Sequence, residues 1–284
     1  MDCERDDITH INMTKKDFII LFCSALLVAG LYYEAILWLF RAWLNNPYYS
    51  HGLLLLPVSA VLILLKRNEL YRAEPESWHV LPLCFGLFLY LIGIIWHQPV
   101  LLAFSLLPVM AGFSSVLLGD GAKPLLFPIF LIATAIPFPL LEALELPLQN
   151  LSALAVSTIF GFIGMPVSMA GNNVTLTGNT YWIAPACSGL NRIMPLLSLT
   201  AIVAYLLRGS LLARISLLAL VIPLALTSNI LRLLITLLIG DWYGMDAAIG
   251  FFHNFSSIVF FLVALALIFA FARIFKLRIG SGNE

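Results

Sequence analysis

The sequence predicts an all-α polytopic membrane protein, and three observations carry that expectation. Of its 284 residues, 61% are hydrophobic and only 11% charged, with a mean hydropathy of +0.99. A soluble domain carries about 45–50% apolar and about 25% charged residues. Apolar runs recur from end to end, and about 20 such residues cross a hydrocarbon layer about 30 Å thick as helix. Lysines and arginines gather between alternate runs, which is the pattern that orients membrane helices. The formal net charge of zero sets aside a general nucleic-acid binder and leaves the lipid bilayer as the partner surface. Cys3, Cys23, Cys84 and Cys187 stand far apart with no Cys-x-x-Cys spacing, so neither a zinc site nor a disulfide relay is indicated, and no metal or cofactor is expected.

Eight runs are expected to span: Phe18–Phe40, Leu53–Leu65, Val80–Trp96, Val100–Leu118, Leu125–Leu141, Leu190–Leu207, Ile215–Ile239 and Phe255–Ala272. The first lacks a small-residue cleavage site and reads as a span rather than a signal peptide. Placing Lys15 and Lys16 in the cytoplasm puts Lys66, Arg67, Arg72, Lys123, Arg208, Arg214, Arg273, Lys276 and Arg278 there too. Arg41, Arg192 and Arg232 stand outside this pattern, and both termini are cytoplasmic. Leu146–Met165 is apolar enough for a ninth span, but a ninth would reverse every later basic cluster. It is therefore expected as an interfacial or re-entrant helix on the outer side, with Pro147, Gln149, Asn150, Ser152 and Ser157 suiting a partly wet surface. Pro166–Ala184 should then form a small extracytoplasmic β-meander. Gly171-Asn172-Asn173 and Gly178-Asn179 are turn signals around the β-rich pieces Val174–Thr177 and Thr180–Ile183. Two uses of that meander stay open: a flap flanking an extended peptide, or a surface tether between helices. The whole chain reads as one integral-membrane domain, with its catalytic part over about 140–272.

Three residues stand at odds with a greasy chain. Cys187, in Ala186-Cys187-Ser188-Gly189-Leu190, opens an apolar run from its outer end. A helix N-terminus lowers a thiol pKa and offers N–H groups to an anion; the alternative is a cysteine that merely packs. Arg232 lies about 10 Å below the outer end of its run, at 1.5 Å per helical residue. Arginine near a helix centre costs about 2.5–3.5 kcal/mol to insert and cannot shed its proton. It must therefore meet an acceptor, line a wet cavity, or snorkel toward Asp241. Asn229 shares its helical face, three residues away. His253, at the outer start of the last run, has the side chain that titrates near neutral pH, and is otherwise an ordinary interface residue. Consecutive spans thus present thiol, guanidinium and imidazole at comparable depth, a sufficient kit for acyl transfer. Cys187 would attack a peptide carbonyl, Arg232 would hold the oxyanion, and His253 would move protons. Ser188, Gly189, Asn229, Arg192 and His51 are candidate supporting residues, though His51 also reads as ordering the first outer loop.

At these residues the chain resembles the exosortase/archaeosortase family of membrane cysteine transpeptidases. The likeness rests on Ala186–Leu190, Asn229-Ile230-Leu231-Arg232 and Gly250–His253, with Tyr49-Ser50-His51-Gly52, Pro137–Pro147 and Gly164-Met165-Pro166-Val167 also similar, and it covers about Tyr48 to Ala272. The resemblance implies a bacterial inner-membrane enzyme with an extracytoplasmic active site. Its substrates would be proteins ending in a Pro-Glu-Pro-type signal, a transmembrane helix and a basic tail, cut through a thioester and passed to an acceptor. Histidine in the third role fits the bacterial branch. In one respect the sequence departs from the family pattern: Asn191 stands where the family places arginine and Arg192 follows. That shift of about 100° around a helix puts the role of Arg192 in doubt. The rival reading is a non-catalytic transporter or channel component whose Arg232 binds an anion, although matching broken helices in repeat halves are missing from the sequence. A rhomboid-type serine protease is disfavoured, since no Gly-x-Ser-x-Gly motif is evident.

Overall fold

Helices follow the apolar runs in the computed structural model, which describes residues 26–71, 73–251, 257–275 and 277–279. Contacts divide the chain into two units between Pro137 and Phe138. The first contains α1 (Tyr33–Asn45), α2 (Gly52–Lys66), α3 (Leu81–Ile95), α4 (Pro99–Leu118) and α5 (Lys123–Leu131). α1 extends five residues beyond the expected Phe40, through Arg41 to Asn45. It stops there because Pro47 forces the preceding residue out of helical geometry, and Asn46 is extended at φ −108°, ψ 113°. The expected span Leu125–Leu141 does not form as one helix. α5 ends at Leu131, a 3-10 turn covers Ile132–Ala135, and Ile136 is extended immediately before Pro137.

α3 and α4 pack through small residues, which let backbones approach closely where lipid tails give no hydrophobic drive to association. A methyl added at Gly112 would stand 2.3 Å from the Leu83 amide nitrogen. The opposite face of α3 carries Leu81, Phe85, Phe88, Leu91 and Ile95, all exposed, as expected where the solvent is hydrocarbon. Among the described residues, three helical segments are long and apolar enough to cross a bilayer: Ser77–Ile95, Pro99–Ala135 and Leu211–Tyr243. Leu190–Leu206 and Ile258–Ile274 are shorter apolar helices.

The second unit runs α6 (Pro139–Ala143), α7 (Glu145–Phe162), β1 (Val167–Ala170), β2 (Asn173–Leu176), β3 (Asn179–Trp182), α8 (Leu190–Leu206), β4 (Leu207–Arg208), α9 (Leu211–Tyr243), α10 (Met245–Phe251), α11 (Ser257–Ile274) and β5 (Arg278–Ile279). α9 exceeds the expected Ile215–Ile239 at both ends, and its 33 residues reach about 50 Å. Its start is capped by the Ser210 hydroxyl, which accepts from the Ala213 N–H, and it ends at Gly244 with φ +90°.

The meander forms with one strand more than expected, in the antiparallel order β1-β2-β3. Thr177 and Gly178, at the second turn, both have positive φ, the geometry whose twist matches a two-residue hairpin. Alternation decides the sheet's inner face: Val174, Leu176, Tyr181 and Ile183 are buried and join Ala153, Val156 and Phe160 of α7 and Leu233 and Leu237 of α9. The sheet is also pinned by polar bonds. Asn172 donates to the Gln149 side-chain oxygen at 3.1 Å, and Thr177 donates to Asp241. Of the residues expected to meet water on α7, Pro147 is exposed and Asn150 and Ser157 are half-buried, but two are not wet. Gln149 and Ser152 are 4% and 1% exposed and turn into the protein.

Candidate active site

Cys187 closes a 3-10 turn, Pro185–Cys187, rather than beginning a helix. Its N–H donates to the Ala184 carbonyl at 2.8 Å and the Ser188 N–H to that of Pro185 at 3.0 Å. α8 is capped two residues later by Gly189. The expectation that Cys187 itself opens the helix is thereby corrected: it lies in a separate turn, ahead of the Gly189 cap. Ser188 is wholly buried, and its hydroxyl accepts from the Leu190 N–H. Gly189 is required twice over: its φ is +86°, and a Cβ there would lie 3.3 Å from Cβ of Asn229.

Asn229 is the joint of the cluster. It is fully buried, and its side-chain nitrogen donates to the Cys187 carbonyl at 2.6 Å and to the Ser152 hydroxyl at 3.3 Å. Its Oδ1 accepts from Arg192 Nη1 at 2.8 Å and from Arg232 Nη2 at 3.4 Å. One amide thus uses both ends, holding the backbone of the thiol segment on one side and two guanidinium groups on the other. Arg192, doubtful from its offset after Asn191, is 6% exposed and points into this cluster. Arg232 is 1% exposed and reaches Asn229 rather than rising toward Asp241, so it does not snorkel.

Cys187 is 6% exposed and packs against the inner face of the meander. Burial pushes its thiol pKa above the ordinary value, opposed by the positive charges of Arg232 first and Arg192 second and then by a hydrogen bond with the Ala184 backbone. A cavity of about 220 Å³ opens beside it, bounded by Tyr181, Trp182, Ile183 and Ala184, by Leu233, Thr236 and Leu237 of α9, and by Met245, Ala248 and Ile249 of α10. Its wall is predominantly apolar.

The second unit therefore brings together Cys187, Ser188, Gly189, Arg192, Asn229 and Arg232. His51 belongs to the first unit, where it precedes α2. His253 lies outside the described residues. No group of three or more His, Cys, Asp or Glu side chains suited to a metal ion occurs among the described residues. Sequence reasoning missed Ser152 and the cavity-lining residues of α10. Gln149 and Ser152, three apart in an apolar run, did carry a signal, since polar residues on one face of a greasy helix mark either water or a buried polar partner.

A model of the transmembrane exosortase family matches residues 43–270. No curated protein and no solved structure matches the chain. The matched range holds most of the sequence and encloses the whole Cys187–Asn229–Arg232 cluster, and on that ground the chain belongs to the transmembrane exosortase family.

Proposed function

We propose that this protein is a cysteine transpeptidase that cleaves a C-terminal sorting signal of the Pro-Glu-Pro type from membrane-tethered proteins, on the extracytoplasmic side of a bacterial inner membrane. The observation that carries this reading is the buried amide of Asn229, which ties the Cys187 backbone to both Arg192 and Arg232. A fixed pair of guanidinium groups beside a thiol is suited to a reaction that builds negative charge on sulfur and then on oxygen.

In the proposed sequence the thiol of Cys187 loses its proton to a base, for which His253 is the candidate. The sulfur attacks the scissile carbonyl, and the resulting oxyanion is held by Arg232. Collapse breaks the C–N bond, the proton returns to the departing amine, and a thioester remains on Cys187. An acceptor nucleophile then attacks the thioester, giving up its proton to the base and releasing the thiolate. Arg192 holds Asn229 and adds positive charge. Burial disfavours the thiolate in the resting enzyme, so the guanidinium charges and the base together must produce it once substrate has displaced water.

The test is processing of a membrane-anchored reporter bearing such a signal. Cys187→Ala should abolish cleavage while accumulating normally, and Cys187→Ser should be nearly as inactive, since a hydroxyl needs a stronger base. Normal processing by Cys187→Ala would end the nucleophile assignment.

A further inference from the structure

The register of the meander decides which of its backbone groups are spent. The Ile183 N–H donates to the Asn172 carbonyl at 2.9 Å and the Thr177 N–H to the Pro166 carbonyl at 2.9 Å. With Val174 opposite Tyr181 and Leu176 opposite Asn179, residues 179, 181 and 183 of the third strand bond to β2. The N–H and C=O groups of Thr180 and Trp182 consequently face away from β2, along the free edge of β3. No backbone partner for either residue occurs among the described residues beyond the β2 ladder. On the other edge, Val167 and Met169 of β1 face outward by the same alternation.

The two edges differ in what lies beside them. The apolar cavity is lined by Tyr181 to Ala184, so it lies beside the C-terminal end of β3, and Cys187 is also in its wall. Its far wall is α10, through Met245, Ala248 and Ile249. A strand edge with open hydrogen-bonding groups, bordered by an apolar trough, is the arrangement that binds an extended peptide by strand addition. Main-chain bonds then supply sequence-tolerant affinity, and the trough selects alternate side chains. The third strand also leads directly through Ala184 and Pro185 to Cys187. A peptide paired to β3 is therefore laid toward the thiol.

We propose that the free edge of β3 is the substrate rail: the segment of the substrate around its cleavage point docks there as an added β-strand, with an apolar side chain next to the scissile bond seated in the cavity between β3 and α10. This rests on the reading of Cys187 as the nucleophile. Recognition is then of an extended, unfolded segment with one apolar anchor, which places the specificity of the site in backbone shape as well as in side chains. A prolyl residue is compatible at any position whose nitrogen points away from β3.

The test uses the full-length protein in membranes. Trp182→Pro removes the outward N–H of the β3 edge and leaves the ladder to β2 intact, because proline is tolerated on edge strands. Met169→Pro makes the same change on the β1 edge, and Trp182→Ala, which removes the indole from the cavity wall but keeps the N–H, is the baseline for the proline. Reporter processing should fall at least about tenfold in Trp182→Pro relative to Trp182→Ala, because one main-chain hydrogen bond is lost and the substrate carbonyl that accepted it is left without a donor. Met169→Pro should stay within about threefold of wild type, because no substrate bond is made on that edge. A second measurement needs no variant. Acetyl-Ala-Ala-Leu chloromethyl ketone should alkylate Cys187 at least about tenfold faster than its backbone N-methylated analogue, which cannot pair with a strand edge. Iodoacetamide supplies the intrinsic reactivity of the thiol for comparison. Equal rates for the two peptide reagents, or Met169→Pro impairing processing as much as Trp182→Pro, would overturn the rail. If Cys187→Ala still processed the reporter while Trp182→Pro did not, the nucleophile assignment would fail and the docking edge would stand.

Discussion

Asn229→Ala is the most informative single substitution, because Asn229 makes four hydrogen bonds from a fully buried position. Truncation leaves two guanidinium donors, the Cys187 carbonyl and the Ser152 hydroxyl without that partner. A neutral hydrogen bond contributes about 0.5–1.5 kcal/mol net and one to a charged group about 1.5–3 kcal/mol. The 3.4 Å contact to Arg232 is weak, so one strong charged bond and two neutral ones dominate. Allowing for partial rescue by water or by rearranged arginines, the loss should be about 3–4 kcal/mol. Denaturant titration of the purified protein in detergent, followed by the midpoint of unfolding, measures it. Asn229→Asp sharpens the outcome: a carboxylate keeps and strengthens the bonds from Arg192 and Arg232 but turns an oxygen toward the Cys187 carbonyl. It should recover much of the stability and little of the reporter processing. A loss below about 1 kcal/mol for Asn229→Ala, the value of a single ordinary hydrogen bond, would refute the view that this amide is the joint of the site.

The remaining predictions concern charge and backbone shape. Arg232→Met removes the larger of the two positive influences on the Cys187 thiol, whose pKa burial already holds above its ordinary value. The thiolate fraction at a fixed pH must then fall, and the pH profile of Cys187 alkylation by iodoacetamide should move to higher pH, with a smaller move for Arg192→Met. A profile unmoved by Arg232→Met would remove that residue from the electrostatics of the thiol. Gly189→Ala forces an L-residue to φ +86° and a methyl within 3.3 Å of Asn229. It should cost about 1–2 kcal/mol in backbone strain alone and displace Cys187, seen as reduced accumulation together with lost processing. In the first unit, Gly112→Ala meets the Leu83 backbone at 2.3 Å, which no rotamer change relieves. It should separate α3 from α4 and lower accumulation in the membrane without altering the pH profile of Cys187.

Much of the architecture was legible because membrane helices obey a one-dimensional rule: a run of apolar residues long enough for the bilayer must satisfy its own backbone, and helix is the cheapest way to do so. The runs at Leu53–Leu65, Val100–Leu118 and Leu190–Leu207 correspond to α2, α4 and α8 almost residue for residue. Where that rule misled, a local term intervened. Leu125–Leu141 has the composition of a span, but Pro137 and Pro139 break its helix. The meander's turns were readable from Gly171-Asn172 and Gly178, whereas β1 carries no alternation strong enough to announce it.

The sequence by itself determined the membrane class, the meander's turns and the residue types of the site, since an arginine deep in an apolar helix and a thiol at a helix boundary are anomalies visible without coordinates. Only the tertiary structure decided what those residues touch. Arg192 looked misplaced by one position, yet the cluster takes it in because Asn229, on another helix, offers its oxygen from that direction. The thiol was expected to draw on a helix N-terminus. It instead sits in a preceding 3-10 turn, and the positive charges that oppose its burial come from two arginines on separate helices. The physical reason is range: hydropathy and turn chemistry act between near neighbours in sequence. A buried hydrogen bond joins residues as far apart as Ser152 and Asn229, and only packing selects that pair.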